Sequence, residues 1–168
     1  PPSDALNLVS FDEVPRIRID PSDLTLSGKG SGGDVYRSII EIDGKQRPVA
    51  VKIYHPPREE IGTTAEKLFK YFKTEVRGAQ VFDQSGIGPR FYGIADLGDN
   101  RLALVMDLVE GDFPAAMKSH ITSQTLEDVR RVPEILHQYG FDMAGDFQYY
   151  VTPQGRACLL YTSDAADE

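Results

Sequence analysis

The chain has 168 residues, of which 40% are hydrophobic and 26% are charged. This length and composition predict a single domain with a packed core and argue against a wholly disordered chain. The net charge of −8 would repel phosphate backbones, so we do not expect a nucleic-acid partner. No apolar run approaches the length of a membrane span, so we expect no membrane partner either. The single cysteine excludes a disulfide framework within the chain.

The first half of the chain is predicted to be rich in β-strands. Residues 1–14 form a mixed lead segment without a predicted element, and a glycine cluster occupies residues 28–33. Strands are expected at Arg16–Leu26 (interrupted at residues 20–22), Val35–Ile42 and Pro48–Tyr54. The turn residues Asp43-Gly44-Lys45 join the last two of these strands into a hairpin.

The next part of the chain alternates between helical and strand patterns. Apolar residues recur with a 3.6-residue period over Ala65–Phe82, which predicts a helix. Two further strands are expected at Phe91–Leu97 and Arg101–Val109. A second helix is expected at Thr125–Tyr139, kinked or split at Pro133, with a loop and a β-like segment after it. This order of elements predicts an α+β fold with a strand-rich first half.

The glycine cluster belongs to a motif that can approach phosphate groups. Residues 28–35 read Gly-Lys-Gly-Ser-Gly-Gly-Asp-Val, which contains the pattern G-x-G-x-x-G-x-V. Glycines at these spacings let backbone N–H groups reach phosphate oxygens without a clash from a Cβ atom. A dinucleotide-binding turn would open into a helix, whereas a strand follows here, so we discard that interpretation. A simple glycine-rich hairpin turn remains the alternative. The candidate binding residues of the motif are Gly28, Gly30, Ser31, Gly33 and Val35.

The strand after the hairpin turn carries a lysine next to a small residue. Because side chains alternate along a strand, Val49, Val51 and Ile53 are expected to pack together on one face. Ala50 and Lys52 would then face the glycine loop, with room for a flat ring beside the alanine and with the lysine in reach of a phosphate. The alternative is a half-buried strand with one solvated lysine.

Together these two motifs resemble the protein-kinase signature, in which a glycine-rich loop covers ATP and a strand lysine follows it. The resemblance implies that Lys52 contacts the α- and β-phosphates and that a glutamate on the next helix orients it. Glu75 lies where that glutamate is expected, at the border of the apolar stripe of the helix. Glu66 is a competitor, but it fits better as a solvated acid in the first helical turn. An exposed charge is the alternative for Glu75.

The segment Leu102–Gly111 resembles the kinase strand that runs into the hinge between two lobes. By that resemblance Met106 is the gatekeeper, and Asp107 to Val109 offer backbone groups to adenine. A core strand that ends in a polar turn is compatible with the same residues.

The expected catalytic loop departs from the kinase pattern. Kinases carry a histidine two residues before the catalytic aspartate and a magnesium-binding asparagine five residues after it. Around Asp146 these positions hold Ala144 and Val151. Asp146 is nevertheless the candidate base that orients an acceptor hydroxyl and takes its proton. A turn aspartate that bonds its own backbone is the alternative, and Asp142 is a rival base.

This compressed loop is similar to that of bacterial minimal kinases, namely the HopBF-type secreted effectors and kinase domains of polymorphic toxins. Gln148 is the nearest polar substitute for the asparagine and is a candidate ligand for magnesium or water. In that group a metal-binding aspartate follows after a short hairpin, near position 161, which is tyrosine here. Residues 158–168 resemble a translated sequencing adapter, so we expect them to be non-native and the chain as given to be nearly inactive.

The resemblance implies a protein-kinase-like α+β fold with a five-stranded antiparallel N-lobe at residues 15–110 and a truncated helical C-lobe at residues 111–157. The expected function is magnesium-dependent transfer of a phosphoryl group from ATP to a Ser or Thr hydroxyl of a protein. In the resembling effectors this protein is a host chaperone, so the chain would act in the cytoplasm or after secretion into a target cell. A pseudokinase, a small-molecule kinase and a non-catalytic interaction domain remain alternatives.

Overall fold

The computed structural model describes residues 6–29, 33–99, 101–141 and 147–160. Within these ranges two helices and seven strands form, together with short 3-10 turns. In chain order they are β1 (Thr25–Lys29), β2 (Gly33–Ile42), β3 (Lys45–Tyr54), α1 (Ala65–Gln84), β4 (Phe91–Asp96), β5 (Leu102–Asp107), α2 (Ser123–Gln138), β6 (Tyr149–Val151) and β7 (Ala157–Leu159). An antiparallel sheet has the order β1-β2-β3-β5-β4, and β6 and β7 form a separate hairpin. The predicted α+β class and the five-stranded antiparallel sheet are therefore confirmed.

The strand predicted at Arg16–Leu26 is wrong for most of its length. Residues 21–23 form a 3-10 turn, and the first strand begins only at Thr25. Asp20 caps this turn by accepting a hydrogen bond from the backbone N–H of Ser22 at 3.0 Å. Pro21 follows the cap with a fixed φ and no N–H to donate, which favours a turn over a strand at this place.

The two faces of β3 contribute to different cores, as the alternation of its side chains predicts. Val49 and Val51 are fully buried and Ile53 is nearly so, in a cluster with residues of β2, β4 and β5. Burial of each such side chain contributes about 1.5–3 kcal/mol. Ala50 points to the opposite face, where it packs against a second cluster that includes Phe72 of α1. The sheet is therefore covered by α1 on one face only.

The helix α1 extends two residues beyond its predicted end. Thr64 caps its start by accepting a hydrogen bond from the backbone N–H of Lys67 at 3.1 Å. Phe72 and Val76, one turn apart, are almost completely buried against the sheet. Gly86, with a φ of 79°, takes the chain out of the helix.

The helix α2 is continuous past Pro133, so the prediction that this residue splits it is wrong. Thr122 and Thr125 form a reciprocal capping box at its start. This cap and the buried apolar face of the helix outweigh the one backbone hydrogen bond that proline removes. Among the residues that the structure describes, no helix is long and apolar enough to cross a bilayer.

A third core joins the second half of the chain to the first. Its central members are Val81 and Phe82 of α1, Ile135 and Leu136 of α2, and Leu159 of β7. The backbone N–H of Leu159 also donates to the carbonyl of Ile87 at 2.6 Å. Of the residues that the sequence assigned to a non-native tail, Leu159 is thus packed in this core, and the backbone N–H of Leu160 donates to the carbonyl of Gln148 at 2.9 Å. Residues 161–168 lie outside the described residues.

The chain that directly follows the lead segment joins the sheet at its edge, and Ile17 there lies within the stretch that was predicted as a strand. The backbone N–H of Ile17 donates to the carbonyl of Ile94 at 2.8 Å, and the N–H of Ile94 donates to the carbonyl of Pro15 at 3.0 Å. Gly93 permits this approach: it has a φ of 152°, and a Cβ atom on it would lie 2.3 Å from the Pro15 oxygen. Glycine is therefore required where this part of the chain meets β4.

We expect Gly93→Ala to lower the free energy of unfolding by about 2–3 kcal/mol, because the added methyl group overlaps backbone and the φ is unfavourable. Urea unfolding followed by circular dichroism measures this loss. Gly98→Ala is the matched control, since Gly98 also has a positive φ but a Cβ atom on it would have no other atom within 4 Å. Equal losses in the two variants would contradict the close approach at Gly93.

Candidate functional site

A cavity of about 390 Å³ lies between the sheet and the β6–β7 hairpin. Its size is within the range of small-molecule sites. All of the described residues that the sequence singled out for nucleotide binding contribute to its lining. They are Gly28, Gly33, Val35, Ala50, Lys52, Met106, Asp107 and Val109. Gly30 and Ser31, from the same predicted set, lie outside the described residues.

The strand register explains how these residues meet. Val35 of β2 is directly opposite Lys52 of β3, and Ala50 of β3 is opposite Met106 of β5. Directly opposed residues share a face of the sheet, so the four side chains form one patch on the cavity side. Gly33 begins β2 where a Cβ atom would lie 2.5 Å from the Ile53 oxygen. This glycine therefore lets β2 and β3 close at the end of the glycine cluster.

Lys52 and Glu75 are both buried, with only 5% and 8% of their surface exposed. Charged residues are rarely buried to this extent unless they are paired. Tyr54 connects them: its hydroxyl donates to Glu75 Oε1 at 3.0 Å, and Lys52 Nζ lies 5.3 Å from the centre of its ring. The prediction that Glu75 points inward is confirmed, and Glu66 is exposed as expected. The functional roles of Lys52 and Glu75 stay predictions.

The end of β5 presents free backbone groups to the cavity. The strand ends at Asp107, whose N–H donates to the carbonyl of Arg90 at 2.8 Å. In the described part of the chain, no hydrogen bond uses the backbone N–H or C=O of Leu108 or Val109, and both residues line the cavity. Unpaired backbone groups at a cavity wall are able to bond the edge of a planar ligand.

The carboxylate of Asp107 is held by Tyr92, whose hydroxyl donates to Asp107 Oδ1. Burial, together with this hydrogen bond and the charge of Asp107, raises the pKa of Tyr92. Tyr92 belongs to the core on the far face of the sheet from α1. The Asp107 side chain is therefore engaged with the core, and the residue offers the cavity chiefly its backbone.

The charged side chains that line the cavity are mostly cationic. Among the described residues they are Lys29, Arg37 and Lys52, against one acidic residue, Asp107, whose carboxylate accepts a hydrogen bond from Tyr92. The side chains of Lys29 and Arg37 make no hydrogen bond or ion pair with any residue in the described ranges, and both residues are exposed. A local excess of positive charge in a chain of net charge −8 favours an anionic ligand at this place.

The floor of the cavity comes from the second half of the chain. Gln148 and Tyr150 line it, and Tyr150 packs edge-on against Phe113 with their ring centres 5.0 Å apart. Gly111 lets the hairpin come close, because a Cβ atom on it would lie 2.3 Å from the oxygen of Val151. Sequence reasoning missed Tyr150 and Phe113 because neither belongs to a motif.

The hairpin is attached to α2 by a buried carboxylate. Asp128, 5% exposed, accepts hydrogen bonds from Arg156 Nε at 2.7 Å, Arg156 Nη2 at 2.9 Å and the backbone N–H of Ala157 at 3.1 Å. The hydroxyl of Thr125, one turn earlier on the helix, donates to the carbonyl of Gly155. These bonds fix the turn of the hairpin, and with it the strand that carries Tyr150.

The predicted catalytic and metal-binding residues are only in part described. Asp146 and its rival Asp142 lie outside the described residues. Val151, at the position of the kinase asparagine, is fully buried in β6 and has no group to bind a metal. In the described ranges no three His, Cys, Asp or Glu residues cluster in a way that could hold a metal ion. Gln148 alone does not form a magnesium site, so the described residues do not fit this ion.

The Asp128 attachment predicts a stability that depends on pH. Burial tends to raise the pKa of Asp128, but hydrogen bonds from Arg156, Gln124 and Ala157 outweigh it, and the pKa is lowered from 3.8. The contribution of this carboxylate is therefore complete above about pH 4 and is lost as the pH falls through its lowered value.

We expect Asp128→Asn to lower the free energy of unfolding at pH 7 by about 1–3 kcal/mol, since two charge-assisted bonds are lost. Below pH 4 the difference from the unaltered chain shrinks, which urea titrations at several pH values measure. Glu127→Gln is the matched control, because Glu127 pairs with Arg130 on the exposed side of the same helix. A constant difference across this pH range would contradict the assignment.

Two comparisons with known proteins provide no relative. No protein-family model matches the sequence, and no curated protein is significantly similar to it. The functional assignment therefore depends on the residues of the cavity and on their chemistry.

Proposed function

We propose that the cavity binds ATP, and that the chain is built to transfer the γ-phosphoryl group of ATP to a Ser or Thr hydroxyl of a protein. One observation carries the proposal. Residues far apart in the sequence, which a kinase-like motif pattern selects in advance, line a single cavity that has an apolar slot, unpaired backbone groups and an excess of cations among the described residues.

The base would lie in the apolar part of the cavity. Val35 and Ala50 above it and Met106 behind it provide surfaces without polar groups that would need hydrogen bonds. The backbone N–H and C=O groups of Leu108 and Val109 would bond the polar edge of the ring. Adenine carries both a donor and acceptors on one edge, so a strip of alternating backbone groups complements it.

The triphosphate would extend toward the glycine cluster. Lys52 would contact it, held in place by burial and by the Tyr54 ring, and Tyr54 in turn bonds Glu75. Lys29 stands at the end of β1, beside the glycines, and adds a second cation. Positioning and charge stabilisation supply most of the catalysis in phosphoryl transfer.

Phosphoryl transfer requires a group that orients the acceptor, and we assign this role to Asp146. Its carboxylate would accept the proton of the hydroxyl while the hydroxyl oxygen bonds the γ-phosphorus and ADP leaves. Magnesium, when bound to ATP, neutralises phosphate charge, but the described residues do not fit it and no step is routed through it. A protein acceptor, such as a host chaperone, and action inside a target cell are proposed from the loop resemblance alone.

A second function is favoured by a specific observation. Val151 occupies the position of the kinase asparagine and is buried in a strand. A chain without that ligand would bind a nucleotide and not transfer its phosphate efficiently, as a pseudokinase does. The two functions share the cavity and differ only in the chemistry after binding.

We expect ATP to bind the chain, and Lys52→Met to weaken binding by about tenfold to a hundredfold, because one charge-assisted contact to phosphate is lost. Isothermal titration calorimetry with and without magnesium measures the affinity. Lys45→Met is the matched control, since Lys45 is an exposed lysine of the same strand that does not line the cavity. Equal affinities of the two variants would exclude the proposed phosphate contact.

An assay of phosphoryl transfer distinguishes a kinase from a pseudokinase. The substrates are ATP labelled on the γ-phosphate and a panel of proteins that includes heat-shock chaperones, and we expect the label on Ser or Thr residues. We expect Asp146→Asn to reduce the rate of transfer at least about a hundredfold, because a general base contributes about this much. Gln154→Ala serves as a control in the same part of the chain, since Gln154 is exposed in the turn of the hairpin. ATP binding without any transfer would favour the pseudokinase, and transfer to small molecules alone would refute the protein acceptor.

A further inference from the structure

Two glutamines on α1 hold the lead segment by its backbone. Gln80 accepts a hydrogen bond from the N–H of Val9 at 2.8 Å and donates to the carbonyl of the same residue at 3.2 Å. Gln84 makes the same pair of bonds with Asn7, at 2.5 Å and 2.9 Å. Each side-chain amide thus satisfies both backbone groups of one residue, as a neighbouring strand would.

The lead segment and the helix match in length. The segment runs antiparallel to α1, with Asn7 beside Gln84 and Val9 beside Gln80. Two extended residues span about 6.6 Å, and four helical residues span about 6.0 Å, so the contact repeats once per turn. Phe11 makes a separate contact further along the helix, where its ring packs edge-on against Phe69 and Phe72, with centres 5.4 and 5.9 Å away.

The same segment is attached to the sheet a few residues later. After Phe11 the chain makes a 3-10 turn, and Pro15 and Ile17 then pair with Ile94 at the edge of β4. Val14, between these attachments, is 3% exposed in the core under α1. Residues 7–17, which we call the brace, therefore connect α1 directly to the sheet.

The brace and the candidate site lie on different sides of the same helix. Glu75 and Gln80 are five residues apart, which separates their directions by about 140° around the axis. Gln80 is only 6% exposed, and both groups of its amide bond the brace at Val9. Detachment of the brace would therefore remove these two hydrogen bonds and leave this side of α1 without the contacts that fix its position.

We infer that the brace, through Gln80 and Gln84, positions α1 so that Glu75 stays inward beside Tyr54 and Lys52, and that nucleotide affinity depends on it. The inference rests on the proposed function, because the cavity is taken to bind ATP. Gln80 and Gln84 are positioning residues: they do not line the cavity, and they act through the helix on Glu75.

Proline substitution in the brace tests the inference. Val9→Pro removes the N–H that donates to Gln80, and we expect ATP affinity to fall at least about fivefold, in the usual range of coupling between sites. Ser10→Pro is the matched control, since Ser10 already has a φ of −66°, which suits proline, and it should bind ATP as the unaltered chain does. If Val9→Pro does not fold, Gln80→Leu removes the same bonds from the helix side.

A double-mutant cycle with Glu75→Gln identifies the route of the effect. If the brace acts through Glu75, Val9→Pro should change affinity much less in the Glu75→Gln background than in the unaltered chain. The same fivefold loss in both backgrounds, or no loss in either, would overturn the inference while leaving ATP binding intact. Absence of ATP binding by the unaltered chain would instead refute the proposed function, and the inference with it.

Discussion

The alternation of side chains along β3 separates a core from a cavity. Val49 and Val51 are fully buried on one face, while Ala50 and Lys52 line the cavity on the other. Strands on both sides depend on this register, because β3 pairs with β2 and β5. A shift by one residue would place the lysine in the apolar core and the valines on the face of the cavity, so the stability of the core and the composition of the site cannot vary independently.

The packing of helix α1 on the sheet is a second constraint on the structure. Both the apolar and the polar buried residues of the helix contribute to it. Phe72 and Val76 attach the helix to the sheet, whereas Glu75 and Gln80 are buried and bonded in different directions. Buried hydrogen bonds contribute little net stability but make alternative arrangements expensive. They therefore restrict the helix to one rotation more strongly than packing alone would.

Much of the fold could be predicted from the sequence because the local patterns are strong and agree. The hairpin of β2 and β3, helix α1 and the pair β4–β5 have clear periods and turn residues, and their predicted bounds differ from the observed ones by a few residues. The region of Arg16–Leu26 was predicted as a strand interrupted at residues 20–22; the interruption is a 3-10 turn that Asp20 caps, and the strand begins only after it, at Thr25. The continuity of α2 at Pro133 depends on tertiary packing, which a local pattern does not contain.

The candidate site, like the fold, could be predicted only in part. Motif spacing predicted which residues of the glycine cluster, β3 and β5 share a cavity, because those residues are fixed by strand register. Phe113 and Tyr150 could not be predicted, since each reaches the cavity through long-range packing. Arg37, two residues after Val35 on β2, shares the face of the cavity by strand alternation but belongs to no motif. The brace could not be predicted either. Its sequence does not indicate that its backbone bonds Gln80 and Gln84 of α1, because these contacts join residues far apart in the chain.

The backbone beyond β5, unpaired within the described ranges, has a consequence for how the site tolerates sequence change. Leu108 and Val109 offer the cavity their N–H and C=O groups, which every residue except proline possesses. Substitutions at these two positions alter the apolar surroundings of a ligand but leave its hydrogen-bonding partners in place. Recognition of a ligand at this wall would thus depend on the course of the backbone and not on the two side chains. Proline is the one substitution that would remove a backbone N–H from the wall.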